Sequence, residues 1–181
     1  MNIPPHGASE RIAYAVRHTA LGPLLMAATA RGVCLAQFGA SEAALIAQLK
    51  SEFPDATLTP SGMAQSQELD AWIDALGAHL AGDAPRPNLA LDLRGTAFQM
   101  RVWRFLQQLP EEKVMSYSQL AAGIGAPRAV RAAAAACAAN RIAVLVPCHR
   151  VLRRDGGLGG YRWGLERKRT LIDRERTRQS L

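Results

Sequence analysis

The segment SYSQLAAGIGAPRAVRAAAAACAAN, residues 116–140, decides the architecture of the second half of the chain. A short helix is predicted over residues 119–124, and the tight turn Gly125-Ala126-Pro127 ends it. A second helix, unusually rich in alanine, is predicted from Arg128 to about Asn140. Two helices joined by a short turn that contains glycine are typical of a helix-turn-helix. An alanine-lined helix has little bulk, so its close partner is either a neighbouring helix or a nucleic-acid groove.

The segments on both sides of this motif also predict mostly helical structure. An apolar stripe over residues 98–109 has helical spacing and ends at Pro110. Residues 142–146 predict a short buried strand that leads into Pro147-Cys148-His149-Arg150. A last helix is predicted over residues 165–176. We therefore expect a mostly α C-terminal domain with a helix-turn-helix over residues 95–181.

The first half of the chain, residues 1–94, predicts a small α/β domain. Three short apolar runs between residues 12 and 38 are separated by turn residues and predict strands. Ser41 is a predicted helix cap, and Pro54 ends the helical pattern that follows it. A second helix is predicted over residues 64–80, and alternating residues 89–93 predict a last strand. The predicted fold class is a small sheet with helices, followed by the helical domain.

Charge is divided unevenly between these two halves. The chain carries a net charge of +7, but residues 1–94 hold six basic and nine acidic residues. Residues 95–181 hold sixteen basic and six acidic residues, a net charge of +10. A solvated basic surface would give the same count. Together with the alanine-rich helix, however, the imbalance favours a polyanion, and hence a nucleic-acid groove, as the partner of this half.

The cysteines and histidines of the chain predict neither a disulfide framework nor a metal site. An odd number of widely spaced cysteines favours a reducing compartment. No apolar run is long enough to cross a membrane, and the N-terminus lacks the apolar core of a secretory signal. We therefore expect a cytoplasmic protein without cofactor or metal. The scattered residues on which this expectation depends are Cys34, Cys137, Cys148, His6, His18 and His79.

Cys148 is the candidate nucleophile of the chain. It follows an apolar segment, and the rigid Pro147 before it directs the thiol. Arg150 and Arg153 are near in sequence, and cations favour the reactive thiolate. A buried, inert cysteine is the alternative interpretation. The adjacent His149 favours the reactive one.

An activated nucleophile also needs a base, and the base needs a group that orients it. His149 is the candidate base, acting on the thiol through a bridging water, because neighbouring side chains at a strand end point apart. Glu175 on the last helix is the candidate carboxylate, with Glu166 and Asp173 as alternatives.

These residues resemble a known family. The motif PCHRV at residues 147–151 is similar to the active-site motif of the O6-alkylguanine-DNA alkyltransferases. The resemblance covers residues 95–175 and extends to the order of elements in the N-terminal half. The segments AACAAN and GYRWG are most similar to the C-terminal half of the bacterial adaptive-response members. Further matching segments are GTAFQ at 95–99, SYSQLA at 116–121, AVRA at 129–132, GGYRWGLERK at 159–168 and LIDRE at 171–175.

The resemblance implies a role for each residue of the reacting centre. Cys148 would accept the methyl group, His149 would take the thiol proton through a water, and Glu175 would orient His149. Tyr117 would help to rotate the target nucleotide and would donate a proton to guanine N3. Asn140 would brace the turn before the active-site segment.

The resemblance also implies the DNA contacts. Arg131 would enter the base stack and fill the gap left by a flipped nucleotide, while alanines at 132, 133, 134 and 136 would suit a narrow minor groove. The remaining DNA contacts would be Ser118, Ala132 and Gln99, beside Tyr117. The base pocket would be lined by Val151, Tyr161 and Arg162.

The implied activity is direct, single-use transfer of a methyl group from O6-methylguanine to Cys148, with O4-methylthymine as a further substrate. The target base lies inside duplex DNA, so flipping must precede transfer. The implied protein is a monomer that binds double-stranded DNA. Two other functions are open: DNA binding without transfer, and thiol hydrolysis with turnover. The chain could also be part of a longer transcriptional regulator.

Overall fold

The computed structural model describes residues 9–179. Its first part is a four-stranded sheet in the order β3-β2-β1-β4, in which β1 pairs antiparallel with β2 and parallel with β4. The three strands predicted between residues 12 and 38 are confirmed, whereas the short β4 was not predicted. The strands are β1 (Arg11–Thr19), β2 (Gly22–Thr29), β3 (Gly32–Phe38) and β4 (Thr57–Pro60).

Helices cover both faces of this sheet. Helix α1 (Glu42–Glu52) begins at Ser41, whose hydroxyl accepts the N–H of Ala44 at 3.1 Å, as predicted for the cap. It buries Leu45 and Leu49 on one face of the sheet. A short helix, α2 (Ser61–Ala64), leads into α3 (Gln67–Ala81) on the other face. Because both faces are covered, β2 and β3 are almost wholly apolar and buried.

The second part of the chain is helical and contains the predicted helix-turn-helix. Capping boxes start two of its helices: Thr96 pairs with Gln99, and Ser116 pairs with Gln119. The two-residue strands β5 (Met115–Ser116) and β6 (Val151–Leu152) pair parallel beside the motif. The helices are α4 (Ala97–Gln107), α5 (Tyr117–Gly123), α6 (Val130–Ala138) and α7 (Leu165–Gln179).

Two predicted strands are wrong. Residues 89–93 touch β3 at a single bridge, between Leu91 and Val33, and continue as an extended connection. Residues 142–146 likewise make one bridge, between Ile142 and Ala36, and then turn through Val144, whose φ is 70°. A strand cannot continue through that left-handed residue.

The apolar core crosses the predicted domain boundary. On the buried face of α3, Leu69, Ile73 and Leu76 pack toward the sheet. They belong to the same buried cluster as Val102 and Leu106 of α4. The two halves therefore share one core, and the division between residues 94 and 95 stays a prediction. No helix within residues 9–179 is long and apolar enough to span a bilayer.

Candidate active site

Cys148 lies in a single turn of 3-10 helix, residues 148–150, between the turn at Val144 and strand β6. Its side chain is buried, and Sγ accepts a hydrogen bond from Asn140 Nδ2 at 3.2 Å. Burial raises the pKa of the Cys148 thiol, while the Asn140 hydrogen bond and the charge of Lys168 act in the opposite direction. The resting group is therefore a thiol, which needs a base at the moment of reaction.

The expected activation of Cys148 by neighbouring arginines is wrong. Arg150 is fully buried and directs its guanidinium to the carboxylate of Glu175 instead of the sulfur. Arg153 is exposed and lies 3.6 Å from Asp155. Neighbours in sequence point in different directions here because the 3-10 turn rotates each side chain by about a third of a turn.

His149 and Glu175 form a buried pair. Nε2 of His149 lies 2.8 Å from Oε1 of Glu175, and Arg150 Nε donates to Oε2 at 2.9 Å. Burial alone would favour the neutral acid, but His149 and Arg150 together lower the pKa of Glu175 to about 2. The alternatives Glu166 and Asp173 are exposed on the outer side of α7. Glu175 is thus the carboxylate that the fold brings to the histidine.

The hydrogen bonds of this pair assign the histidine tautomer. An ionised carboxylate only accepts, so Nε2 of His149 carries the hydrogen and Nδ1 keeps its lone pair. Nδ1 is buried and has no hydrogen-bond partner among residues 9–179. Burial lowers the pKa of His149. The neutral imidazole therefore presents Nδ1 as a proton acceptor at neutral pH.

Asn140 connects the end of the helix-turn-helix to the active-site turn. Its Oδ1 accepts the N–H of Ile142 at 2.9 Å, and its Nδ2 donates to the carbonyl of Val146 at 3.0 Å. These bonds replace the strand pairing that the apolar sequence of residues 142–146 predicted. The same Nδ2 reaches Cys148 Sγ. Asn140 therefore both shapes the turn and contacts the thiol.

Lys168 belongs to the site, although we assigned it no role from the sequence. It is fully buried, and Nζ donates to the carbonyls of Val151 at 2.7 Å and Gly160 at 3.0 Å. Its ammonium also lies 5.9 Å from the centre of the Tyr117 ring. One signal could have indicated it: Lys168 is the single lysine of α7, whose other cations are all arginine. A compact group with three donors fits between two carbonyls where a planar guanidinium would not.

Two tyrosines border the site. Tyr117 begins α5 and is half-buried, and burial raises the pKa of its hydroxyl to about 12. At Gly159, where φ is +69°, a Cβ would lie 3.2 Å from that hydroxyl, so a larger residue would strain the loop and crowd Tyr117. Tyr161 packs edge-on to His149 with 6.5 Å between ring centres. Its hydroxyl is buried and unpaired within the described part of the chain.

Val151 and Arg162, the other two residues expected in the base pocket, lie in different places. Val151 is buried in β6, immediately after the active-site turn, and its carbonyl accepts from Lys168. Arg162 instead directs its guanidinium to Glu52 of α1, at 3.3 Å.

Helix α6 exposes one face and buries the other. Arg131 and Ala132 are exposed, as is Ser118 on α5. Ala133 and Ala136 are buried, and Trp103 of α4 donates its indole N–H to the carbonyl of Ala136 at 2.8 Å. The interpretation as a helix that packs on a neighbouring helix is therefore confirmed for the buried face, and contact of the exposed face with a nucleic-acid groove stays a prediction. The expectation that Ala133 and Ala136 face a groove is wrong, because both are buried in the core.

Gln99 lies at the start of α4, where its side chain closes the capping box with Thr96. No group of His, Cys, Asp or Glu residues in the described ranges has the arrangement of a metal site. His6, another of the scattered histidines, lies outside the described residues.

Comparison with known proteins identifies the family to which the chain belongs. Residues 97–177 match the family described as 6-O-methylguanine DNA methyltransferase, DNA binding domain. The methylated-DNA–protein-cysteine methyltransferase of Mycolicibacterium paratuberculosis is 45% identical over 125 residues, which are 67% of this chain and 76% of that protein. The crystal structure of Mycobacterium tuberculosis OGT in complex with DNA covers 92% of this chain and 94% of its own, with a TM-score of 0.76 and 34% identity.

A further relative is the bifunctional transcriptional activator/DNA repair enzyme Ada of Escherichia coli. It is 44% identical over 169 residues, which are 93% of this chain but 47% of Ada. The chain thus spans about half the length of that relative. The chain belongs to the methylated-DNA–protein-cysteine methyltransferase family.

Proposed function

We propose that this chain repairs alkylated duplex DNA by moving the methyl group of O6-methylguanine, and of O4-methylthymine, onto Cys148. The observation that supports this most directly is the buried thiol bonded by Asn140 beside the His149–Glu175 pair. The chain would act once, as a monomer, in the bacterial cytoplasm.

In the proposed reaction the sulfur of Cys148 attacks the methyl carbon while the bond from that carbon to guanine O6 breaks. The electron pair of the broken bond stays on the base. The thiol proton passes through a water to Nδ1 of His149, and Glu175 stabilises the imidazolium that results. Because the pKa of Glu175 is so low, the carboxylate stays ionised and does not take the proton itself.

The departing guanine needs one proton, and Tyr117 is the proposed donor to N3. Its hydroxyl, whose pKa burial raises to about 12, is protonated at neutral pH, so the proton is present when the base arrives. The imidazolium of His149 then returns its proton to Tyr117, so that in net terms the thiol has lost one proton and the base has gained one. The product thioether has no leaving group and holds its methyl permanently.

The proposed DNA interface is the exposed face of α6 with the start of α5. Ala132 permits close approach to the minor groove, Arg131 fills the gap in the stack, and Ser118 contacts the backbone. The net charge of +10 on residues 95–181 supports a phosphate-binding surface. Flipping brings the base to Cys148, since chemistry on a stacked base is blocked.

The test of this function is the stoichiometry of transfer. We expect the chain, mixed with excess methylated duplex, to gain one methyl per molecule on the peptide that contains Cys148 and then to stop. Mass spectrometry of the intact protein and of its peptides measures both quantities. Release of product beyond one equivalent would indicate a hydrolase, and no mass gain would indicate a DNA-binding protein without transfer.

Two neighbouring alanines provide a matched test of the interface. Ala132→Leu puts bulk on the exposed face, so duplex affinity should fall about tenfold while the free energy of unfolding changes by less than about 0.5 kcal/mol. Ala133→Leu puts the same bulk into the packed core and should destabilise the fold by about 1–3 kcal/mol. Urea unfolding and fluorescence anisotropy separate the effects. Equal DNA affinity of Ala132→Leu and the unchanged chain would contradict this interface.

A further inference from the structure

Glu52, the last residue of α1, contacts two arginines from the helical half of the chain. Its Oε2 lies 3.0 Å from Arg141 Nε, and its Oε1 accepts from Arg162 Nη2 at 3.3 Å. The Glu52 side chain is only 16% exposed. One carboxylate thus joins the sheet half to two separate segments of the other half.

Each of these arginines directly follows a residue of the active site. Arg141 follows Asn140, whose side chain bonds the acceptor thiol. Arg162 follows Tyr161, whose ring packs against the catalytic imidazole. A displacement of either arginine therefore moves a group that touches the reacting centre.

The segment that carries Tyr161 depends on such anchors, because its backbone has little stiffness of its own. It follows four glycines within residues 156–160, and glycine gives the chain the greatest conformational freedom. Lys168 holds the carbonyl of Gly160 on the inner side. On the outer side, Glu52 holds the next charged side chain, that of Arg162.

We propose that Glu52 is a positioning residue for methyl transfer: it fixes the Tyr161 segment and the Asn140 turn against Cys148 from the opposite half of the chain. This role rests on the proposed function. An ion pair with no role in methyl transfer would affect only the stability of the fold. Partly exposed ion pairs contribute little to the free energy of unfolding.

The test compares Glu52→Gln with Glu42→Gln, which removes an exposed charge from the first turn of the same helix. We expect Glu52→Gln to lower the maximal single-turnover rate about fivefold, both on methylated duplex and on free O6-benzylguanine. The dissociation constant for duplex should stay within about twofold, because no DNA contact is removed. Amide hydrogen exchange of residues 156–164 should become faster in Glu52→Gln and stay unchanged in Glu42→Gln.

Arg162→Gln provides a second variant, and the double variant tests whether the two residues act together. We expect Arg162→Gln to slow transfer, and the double variant to react no more slowly than Glu52→Gln alone. A folded Glu52→Gln protein with the unchanged rate, or additive losses in the double variant, would overturn the positioning role alone. Absence of transfer by the unchanged chain would instead overturn the proposed function, and this role with it.

Discussion

A Cys148→Ala protein is expected to bind methylated duplex DNA and to accept no methyl group. The substitution removes the sulfur that Asn140 bonds beside the His149–Glu175 pair. It leaves the exposed face of α6 unchanged, so the dissociation constant for duplex should stay within about twofold. Intact-protein mass after incubation with excess methylated duplex measures acceptance, and anisotropy measures binding.

The other two cysteines are the controls for this result. Both are buried, and burial raises the pKa of Cys34 to about 12 and also raises that of Cys137. Cys34 lies in β3, where its thiol donates to the carbonyl of Ala27. Cys34→Ala and Cys137→Ala should each still gain one methyl. A methyl found on either cysteine in the Cys148→Ala protein would contradict the assignment of the acceptor.

Local sequence signals predicted the parts of the fold that depend on local physics. The turns at Gly22 and Gly32 require positive φ, and they separate the three strands as expected. Ser41 caps its helix as predicted, because its hydroxyl accepts the backbone N–H of Ala44. The helix-turn-helix follows from Gly125, whose φ is +75°.

Parts of the fold that depend on distant side chains could not be predicted in this way. The apolar run at residues 142–146 has the composition of a buried strand, but the side chain of Asn140 takes its backbone groups. A count of apolar residues contains no information about that competition. The alanines of α6 are a second example, because their spacing in the sequence does not identify the face of the helix that packs on α4.

Some residues of the candidate site were likewise predicted from the sequence and others were not. Cys148, His149 and Glu175 were found from motif and residue type, and the fold brings His149 and Glu175 into contact. The direction of Arg150 was wrong, because the rotation of the 3-10 turn is not visible in the sequence. Lys168 and Glu52 act through backbone carbonyls and through arginines of other elements. Their contacts are not visible in the sequence, where the single lysine of α7 is the one indication of Lys168.

Glu175→Gln is expected to slow methyl transfer by about a hundredfold or more, on duplex and on free O6-benzylguanine alike. The glutamate accepts from His149 and from Arg150 on both oxygens, whereas an amide has one acceptor and one donor. If the amide oxygen faces His149, the NH2 group lies against Arg150 Nε. Both of these groups are donors, so no hydrogen bond forms between them. If the NH2 group faces His149, the imidazole must move its hydrogen to Nδ1, where it can no longer take the thiol proton. Single-turnover rates on both substrates measure the loss.

The same substitution should destabilise the fold by about 3 kcal/mol, because it leaves the buried charge of Arg150 without a counter-ion. The effect should depend on pH. A carboxyl whose pKa falls from 4.5 to about 2 on folding stabilises the native state above about pH 4.5 and loses that contribution as the pH falls toward 2. Urea unfolding between pH 7 and pH 2 should therefore show a shallower loss of stability in Glu175→Gln than in the unchanged chain.

Asp173→Asn is the matched control, because Asp173 is exposed on the same helix. It should change neither the transfer rate nor the dependence of stability on pH. An unchanged transfer rate in a folded Glu175→Gln protein would mean that His149 does not act as the base.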